Sequence, residues 1–113
     1  MDDVTPGQYS VLAGLDVVGP MTPRELAVRE KVQPPSMTRT IAALEQLGLV
    51  DRTDHPSDGR QVLVSLSAHG ATVVRETRKR RDAWFAKRLA EATPAEREVL
   101  AQAAVILNRL ADS

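Results

Sequence analysis

Residues 22–66 read TPRELAVREKVQPPSMTRTIAALEQLGLVDRTDHPSDGRQVLVSL, and within this stretch the hydrophobic period switches once, from helical to extended. Thr22-Pro23-Arg24-Glu25 is a capping box with proline at the first helical position. The Thr hydroxyl accepts from the amide three residues on, the Glu carboxylate returns a bond to the cap's own N–H, and the proline gives up only an amide that has no helical partner. The helix it opens is short, Pro23 to about Glu30, with Leu26 and Ala27 as its inward residues. Next comes Val32-Gln33-Pro34-Pro35. A proline disfavours helical dihedrals for the residue before it, so Gln33 and Pro34 are expected outside the helix that begins at Pro35. Met37, Ile41, Leu44 and Ala42 mark the buried stripe of that helix. Gly48 closes it, with Leu49 packing back on Leu44. Val62, Val64 and Leu66 then alternate with Gln61, Leu63, Ser65 and Ser67, which is strand patterning with one face toward a core. Leu49–Thr53 is its expected partner strand. The turn formers His55-Pro56-Ser57-Asp58-Gly59 between them make a hairpin with a polar, projecting tip.

Outward from this stretch, the same helix-start signal recurs twice. Thr5-Pro6-Gly7-Gln8 opens a helix expected from Pro6 to Val18, with Tyr9, Leu12 and Leu15 on one face and Gly19-Pro20 as its stop. Thr93-Pro94-Ala95-Glu96 opens a last helix ending near Ala111, carrying Val99, Leu100, Ala103, Ile106, Leu107 and Leu110. Ser67 caps a long helix between them, Ala68 to about Ala92. The fold class is therefore mainly α with a small β-hairpin wing (α+β). Helix, turn, helix and hairpin in that order make a winged helix-turn-helix, whose second helix (about 35–47) suits a major groove and whose wing spans about 50–66. Residues 1–67 form that lobe and residues 68–113 a linking helix and a C-terminal helix, one domain overall.

The chain has 113 residues, no Cys and three aromatics. That length suits a single domain with its own core. Without Cys there is no disulfide scaffold, thiolate zinc site, iron–sulfur cluster or thiol switch. With only Tyr9, Trp84 and Phe85, a base-stacking platform for single strands is not expected. No apolar run reaches membrane-span length, and the acidic start Met1-Asp2-Asp3 is unlike a signal peptide; the reading is a soluble, cytoplasmic chain. Fifteen Lys+Arg balance fifteen Asp+Glu, but unevenly. Residues 1–23 carry three acids and no base, whereas residues 75–88 carry seven bases against two acids. Net charge thus says little here, because the neutral total sums unlike segments. His55 and His69 are too few and too isolated for a metal site. No spaced nucleophile–base pattern or phosphate-cradling glycine loop exists, so neither an enzyme nor a cofactor is expected.

Ser36-Met37-Thr38-Arg39, Leu44-Glu45, Gly48-Leu49-Val50 with Arg52, then Asp58-Gly59-Arg60 and Val64-Ser65-Leu66-Ser67 with Gly70, together resemble the MarR (multiple-antibiotic-resistance regulator) family of bacterial transcriptional regulators. The opening Thr5-Pro6, Gln8-Tyr9 and Val11-Leu12 is similar to the start of that family's second helix. The likeness covers nearly the whole chain and is strongest from Thr22 to Gly70. It implies a homodimer, held by C-terminal dimerisation helices, that binds pseudo-palindromic double-stranded DNA. Such a protein is usually a repressor released by a small aromatic or drug-like effector. It also implies a further helix ahead of Pro6 that packs into the dimer interface; only Met1 to Val4 precede Thr5 here. Within such a family the missing Cys excludes the thiol-switched branch.

The residues fit this reading in specific ways. With Met37, Ile41 and Leu44 inward, Pro35, Ser36, Arg39, Thr40 and Ala43 face away. Arg39 is long enough to reach a guanine edge. Ser36 and Thr38 offer hydroxyls to phosphate or base, and Ala43 and the Thr40 methyl suit a thymine methyl. The helix N-terminus favours phosphate. Arg60 at the hairpin tip suits a narrow, electronegative minor groove. The resemblance gives Asp58 the part of steadying that tip, and Arg52 is expected to pair with Asp58 or touch the DNA backbone. The basic run Arg75, Arg78, Lys79, Arg80, Arg81 is conspicuous, yet a solvated linker face or pairing with a partner's acids explains it as well as a backbone contact does. Trp84, Phe85 and Leu89 read as dimer or core packing. The family's effector pocket would nevertheless draw on Tyr9 and Trp84. Two other readings stay open: a winged helix used as a protein-interaction module, and a small-molecule-sequestering protein with weak DNA binding.

Overall fold

The computed structural model describes residues 4–111, so the acidic Met1-Asp2-Asp3 start lies outside the described residues. In chain order it holds α1 (Pro6–Val18), α2 (Pro23–Glu30), α3 (Pro34–Gln46), β1 (Val50–Asp54), β2 (Val62–Leu66), α4 (Ala68–Ala90) and α5 (Pro94–Ala111). Two compact units divide between Thr77 and Arg78, inside α4.

In the first unit the capping boxes form as the spacing predicts. Thr5 Oγ1 accepts from Gln8 N at 3.1 Å while Gln8 Oε1 accepts from Thr5 N at 3.0 Å. Thr22 and Glu25 repeat the pair at the same distances. Leu12, Leu15, Leu26, Met37, Ile41 and Leu44 from three helices converge on Leu49, Val50 and Val64 of the hairpin, with Val73 and Val74 closing the core. β1 and β2 pair antiparallel, Val50 opposite Leu66 and Asp54 opposite Val62. Met21 adds a one-residue third strand: its N–H donates to Val64 O at 3.0 Å and its carbonyl accepts from Val64 N at 2.8 Å. Val64 therefore sits at the centre of the sheet, fully buried.

Three details depart from the sequence reading. α3 starts at Pro34 rather than Pro35, because two prolines at its first positions forfeit only amides that would have no helical partner. Ala42, expected inside, is exposed, while Ala43 is half-buried. At about 100° per residue, Ala42 lies on the far side of the helix from the mean of Met37, Ile41 and Leu44. α2 ends on Lys31 in the left-handed conformation, φ 58°. The Lys31 and Val32 amides bond back to Val28 O and Ala27 O at 3.2 and 3.1 Å, the same Schellman pattern that Gly48 and Leu49 make on Glu45 O and Leu44 O. Lysine therefore holds a position that normally selects glycine.

The end of α3 is tied to the start of α4. Ser67 Oγ donates to Gly48 O at 2.6 Å and accepts from Gly70 N at 2.9 Å, and Ser67 N donates to Leu49 O at 3.0 Å. Gly70 is required by this approach, since a Cβ there would run into Leu49 O and Leu66 Cδ1.

The second unit holds the end of α4 and the whole of α5. Arg97, from the first turn of α5, donates to Leu89 O and Ala90 O at 3.1 and 2.9 Å and so caps the carbonyl end of α4. Thr93 and Glu96 form the third capping box. None of the described residues of α5 is buried; Val99, Leu100, Ile106, Leu107 and Leu110 are all exposed. No described helix is long and apolar enough to cross a membrane.

Candidate nucleic-acid interface

The outer face of α3 follows from its inner one. With Met37, Ile41 and Leu44 buried, the helical repeat puts Pro35, Arg39, Ala42 and Gln46 on the opposite side. All four are exposed. Arg39 stands at the middle of this face, its Nη2 3.4 Å from Ser36 Oγ. Thr38 and Thr40 donate their hydroxyl protons to the carbonyls four residues back, Pro34 O at 3.0 Å and Ser36 O at 3.1 Å. Their oxygens therefore remain as acceptors and their methyls as apolar contacts. Ala42 and Gln46 share the Arg39 face and were not singled out from sequence; a strict helical wheel finds both.

The start of α3 differs from an ordinary anion-binding helix terminus. Pro34 and Pro35 have no N–H, and the Ser36 and Met37 amides both donate to Gln33 O, at 3.0 and 3.2 Å. The dipole remains, but these first backbone donors are absent or used. Phosphate contact at this end rests on side chains.

The wing tip is held by two side chains. His55 Nδ1 accepts from the Ser57 and Asp58 amides, both at 3.2 Å. Asp58 Oδ1 accepts from Arg60 N at 3.1 Å and Arg60 Nε at 3.3 Å, and its Oδ2 accepts from Gln61 Nε2 at 3.1 Å. The Arg60 amide, the Gln61 side chain and the Arg60 guanidinium hold the Asp58 carboxyl below the usual carboxylate range. Arg60 itself is 92% exposed, so the turn is fastened while the guanidinium projects.

Arg52 is placed differently from expectation. It pairs with Glu45 of α3, Nε to Oε1 at 3.0 Å, rather than with Asp58. The pleat explains this. Arg52 lies two residues from buried Val50 and directly opposite buried Val64, so its stem leaves from the face of the hairpin turned toward α3. Asp58 lies beyond the far end of the strand.

Gly14 on α1 also has a packing reason. An added Cβ would fall 2.9 Å from Arg29 Nε, so the Arg29 side chain of α2 lies across it. Of the basic run, Arg75 Nη2 lies 3.3 Å from Thr72 Oγ1, and Arg78, Arg80 and Arg81 are also engaged. Tyr9 is half-buried on α1 in the first unit. Trp84 belongs to the second unit, half-exposed, edge-to-face with Phe85 at 5.1 Å and under the Arg88 guanidinium at 5.1 Å. That unit also has a groove of about 590 Å³ lined by Arg88, Ala92, Ala95, Val99 and Leu100 among others. Among the described residues no His, Cys, Asp or Glu cluster is arranged to hold a metal ion.

Known proteins resemble this chain in sequence and in fold. The model of the MarR family matches residues 4–62. An uncharacterised HTH-type transcriptional regulator of Mycobacterium bovis is 50% identical over 109 residues, covering 96% of this chain and 76% of that protein. The HTH-type transcriptional repressor MdtR of Bacillus subtilis is 37% identical over 110 residues, 97% of this chain and 69% of the repressor. Among solved structures, the YusO protein of Bacillus subtilis superposes with a TM-score of 0.80 at 35% identity, over 97% of this chain and 76% of that one.

Proposed function

The chain belongs to the MarR family and is a transcriptional regulator with a DNA-binding fold rather than an enzyme, and from that premise we propose that it is a cytoplasmic, dimeric repressor reading a pseudo-palindromic duplex. The observation that carries this reading is a pair of arginines in one compact unit, each aimed outward by its own scaffold. Arg39 is central on the solvent face of α3, and Arg60 projects from a turn fastened by Asp58. In this reading α3 enters the major groove, with Arg39 on a guanine edge. Pro35, Ser36, Thr38, Thr40 and Ala43 make shape, phosphate or methyl contacts, and Arg60 enters the adjacent minor groove.

Dimerisation through α5 is supported by its apolar residues, which find no cover within the second unit. Two such lobes would meet half-sites about one helical turn apart. Release by a small aromatic or drug-like effector is a differential-affinity argument: the effector favours a dimer whose two lobes have the wrong separation.

Titration of duplex DNA at several salt concentrations tests the reading. Tight binding to one pseudo-palindromic duplex, weakening steeply with salt, is expected. Arg60→Ala should lose most on sites with a narrow minor groove. If Arg39→Ala and Arg60→Ala both bind that duplex as the wild type does, these two side chains are not the reading heads.

A further inference from the structure

Glu45 poses a problem for the DNA-binding reading. It sits on α3 six residues after Arg39 and about 120° around the helix from it, and a carboxylate beside a duplex repels the phosphates. By charge alone it should weaken binding. Its partner resolves the difficulty. Glu45 Oε1 accepts from Arg52 Nε at 3.0 Å, a contact between the recognition helix and the first strand of the wing. The bond uses Nε, the inner nitrogen of the guanidinium, so the two terminal nitrogens keep their four N–H groups for an outside acceptor. Both side chains are partly exposed, 35% for Arg52 and 44% for Glu45. An ion pair so placed adds little to stability. It does fix the plane and direction of the guanidinium. Arg52 needs such a constraint, because it emerges from the inward face of β1, opposite Val64, and must pass the edge of the core to reach solvent.

We propose that Glu45 is a positioning residue for DNA binding: it grips Arg52 by Nε and presents its terminal nitrogens, as a fixed fork, to a backbone phosphate lying between the grooves read by α3 and the wing. This rests on the DNA-binding function proposed above and adds a residue to it. An arginine fixed before it meets phosphate loses less rotamer freedom on binding than a free one. The same bond ties α3 to β1, so helix and wing keep their spacing on the duplex.

The test turns on opposite signs. The probe is the duplex that the wild-type protein enriches from a random-sequence pool, titrated across a salt series. Arg52→Ala should weaken binding roughly tenfold and lower the salt slope by about 0.9, the value of one lost phosphate contact. Glu45→Ala should also weaken binding, by about three- to tenfold, although it removes a negative charge from the interface. Glu45→Gln keeps an acceptor for Nε and should restore most of the affinity. In the double variant Glu45→Ala/Arg52→Ala, the two losses should not add. Wild-type binding with Glu45→Ala equal or tighter overturns the positioning role and leaves the functional reading standing, as does full additivity of the two losses. Absence of binding by the wild type to any duplex in the pool overturns the functional reading, and this proposal with it. Unchanged thermal melting of all four variants confirms that the differences are not unfolding.

Discussion

The first compact unit and the second are built to different standards of closure. In the first, three helices and a hairpin bury fourteen hydrophobic side chains, and helix ends, strand ends and the wing turn are tied by named hydrogen bonds. In the second, no described side chain of α5 is buried, and Trp84, Phe85 and six large aliphatics of α5 are each at least 45% exposed. The first unit therefore carries its own fold, while the second carries a surface whose stabilisation must come from something it covers. Under the dimeric reading proposed above, the closed unit would read DNA and the open one would meet a second copy, so the two units should fail differently when damaged.

The largest expected effect contrasts two leucines. Leu26 is fully buried, so Leu26→Ala should cost about 2–5 kcal/mol and lower the melting temperature sharply at any protein concentration. Leu107 is 64% exposed, so Leu107→Glu should leave the fold of the first unit intact. It should instead shift the sedimentation profile toward monomer. If Leu107→Glu unfolds the chain with no change in assembly at low concentration, α5 is not the partner surface. Next in size is Arg39→Ala, which should cost about 1–3 kcal/mol of binding at one base position and relax the preference there, with no change in melting. A uniform loss over all sequences would make Arg39 a phosphate contact instead.

Smaller effects compare the two helix ends that share one geometry. Gly48 and Lys31 both occupy left-handed C′ positions with the same pair of backbone bonds, but only Lys31 carries a Cβ. Lys31→Gly should stabilise the first unit by about 0.5–1 kcal/mol, read as a rise of a few degrees in melting temperature. Gly48→Ala should destabilise by a similar amount. No rise for Lys31→Gly would mean that the extra freedom of glycine in the unfolded chain cancels the relief.

Where the fold was legible in the sequence, a local rule and a tertiary demand coincided. The bounds of α1 and α2 follow from Thr-Pro caps at one end and Gly19 or the Lys31 turn region at the other, and β2 follows from its period of two. Where they diverged, the reading slipped. Met21 pairs with Val64 although nothing in Gly19-Pro20-Met21 announces a strand, because a single bridging residue has no period. Nothing in the sequence marks Lys31 for positive φ; that conformation depends on where α2 meets α3. Arg52 was expected to pair with Asp58 or touch the DNA backbone, and instead pairs with Glu45. Counting by twos from Val50 would have turned it toward α3 and found Glu45. Ala42 and Ala43 have the same side chain and lie about 130° to either side of the buried stripe, so only what each flank packs against separates them. The exposure of Arg39 and Arg60, the proposed reading heads, was legible because both sit on a recognised element. The Asp58 fastening followed from the resemblance and pairs with Arg60 as expected, while the contacts of Ser36 on α3 and His55 at the turn depend on local geometry and were not legible.

The capping boxes offer the smallest and cleanest comparison, since one chemistry appears in three versions. Glu25 and Glu96 close their boxes with carboxylates, and Gln8 closes the first with a neutral amide. Bonds from the Thr22 backbone and hydroxyl hold the Glu25 carboxyl below its ordinary range, and Thr93 does the same for Glu96. A carboxyl whose folded value is depressed contributes stability that is fully present above its unfolded value and is lost as pH falls through the folded one. The α2 and α5 caps should therefore fray at acid pH, below the usual carboxylate range, whereas the α1 cap should not respond. Amide exchange at Thr22 and Thr93 should accelerate on acidification relative to Thr5, after correction for intrinsic rates. Glu25→Gln should convert the second box to the behaviour of the first, abolishing the pH response at Thr22 while leaving that at Thr93. If Thr5 frays in step with the other two, the loss is global acid unfolding and the boxes are not its cause.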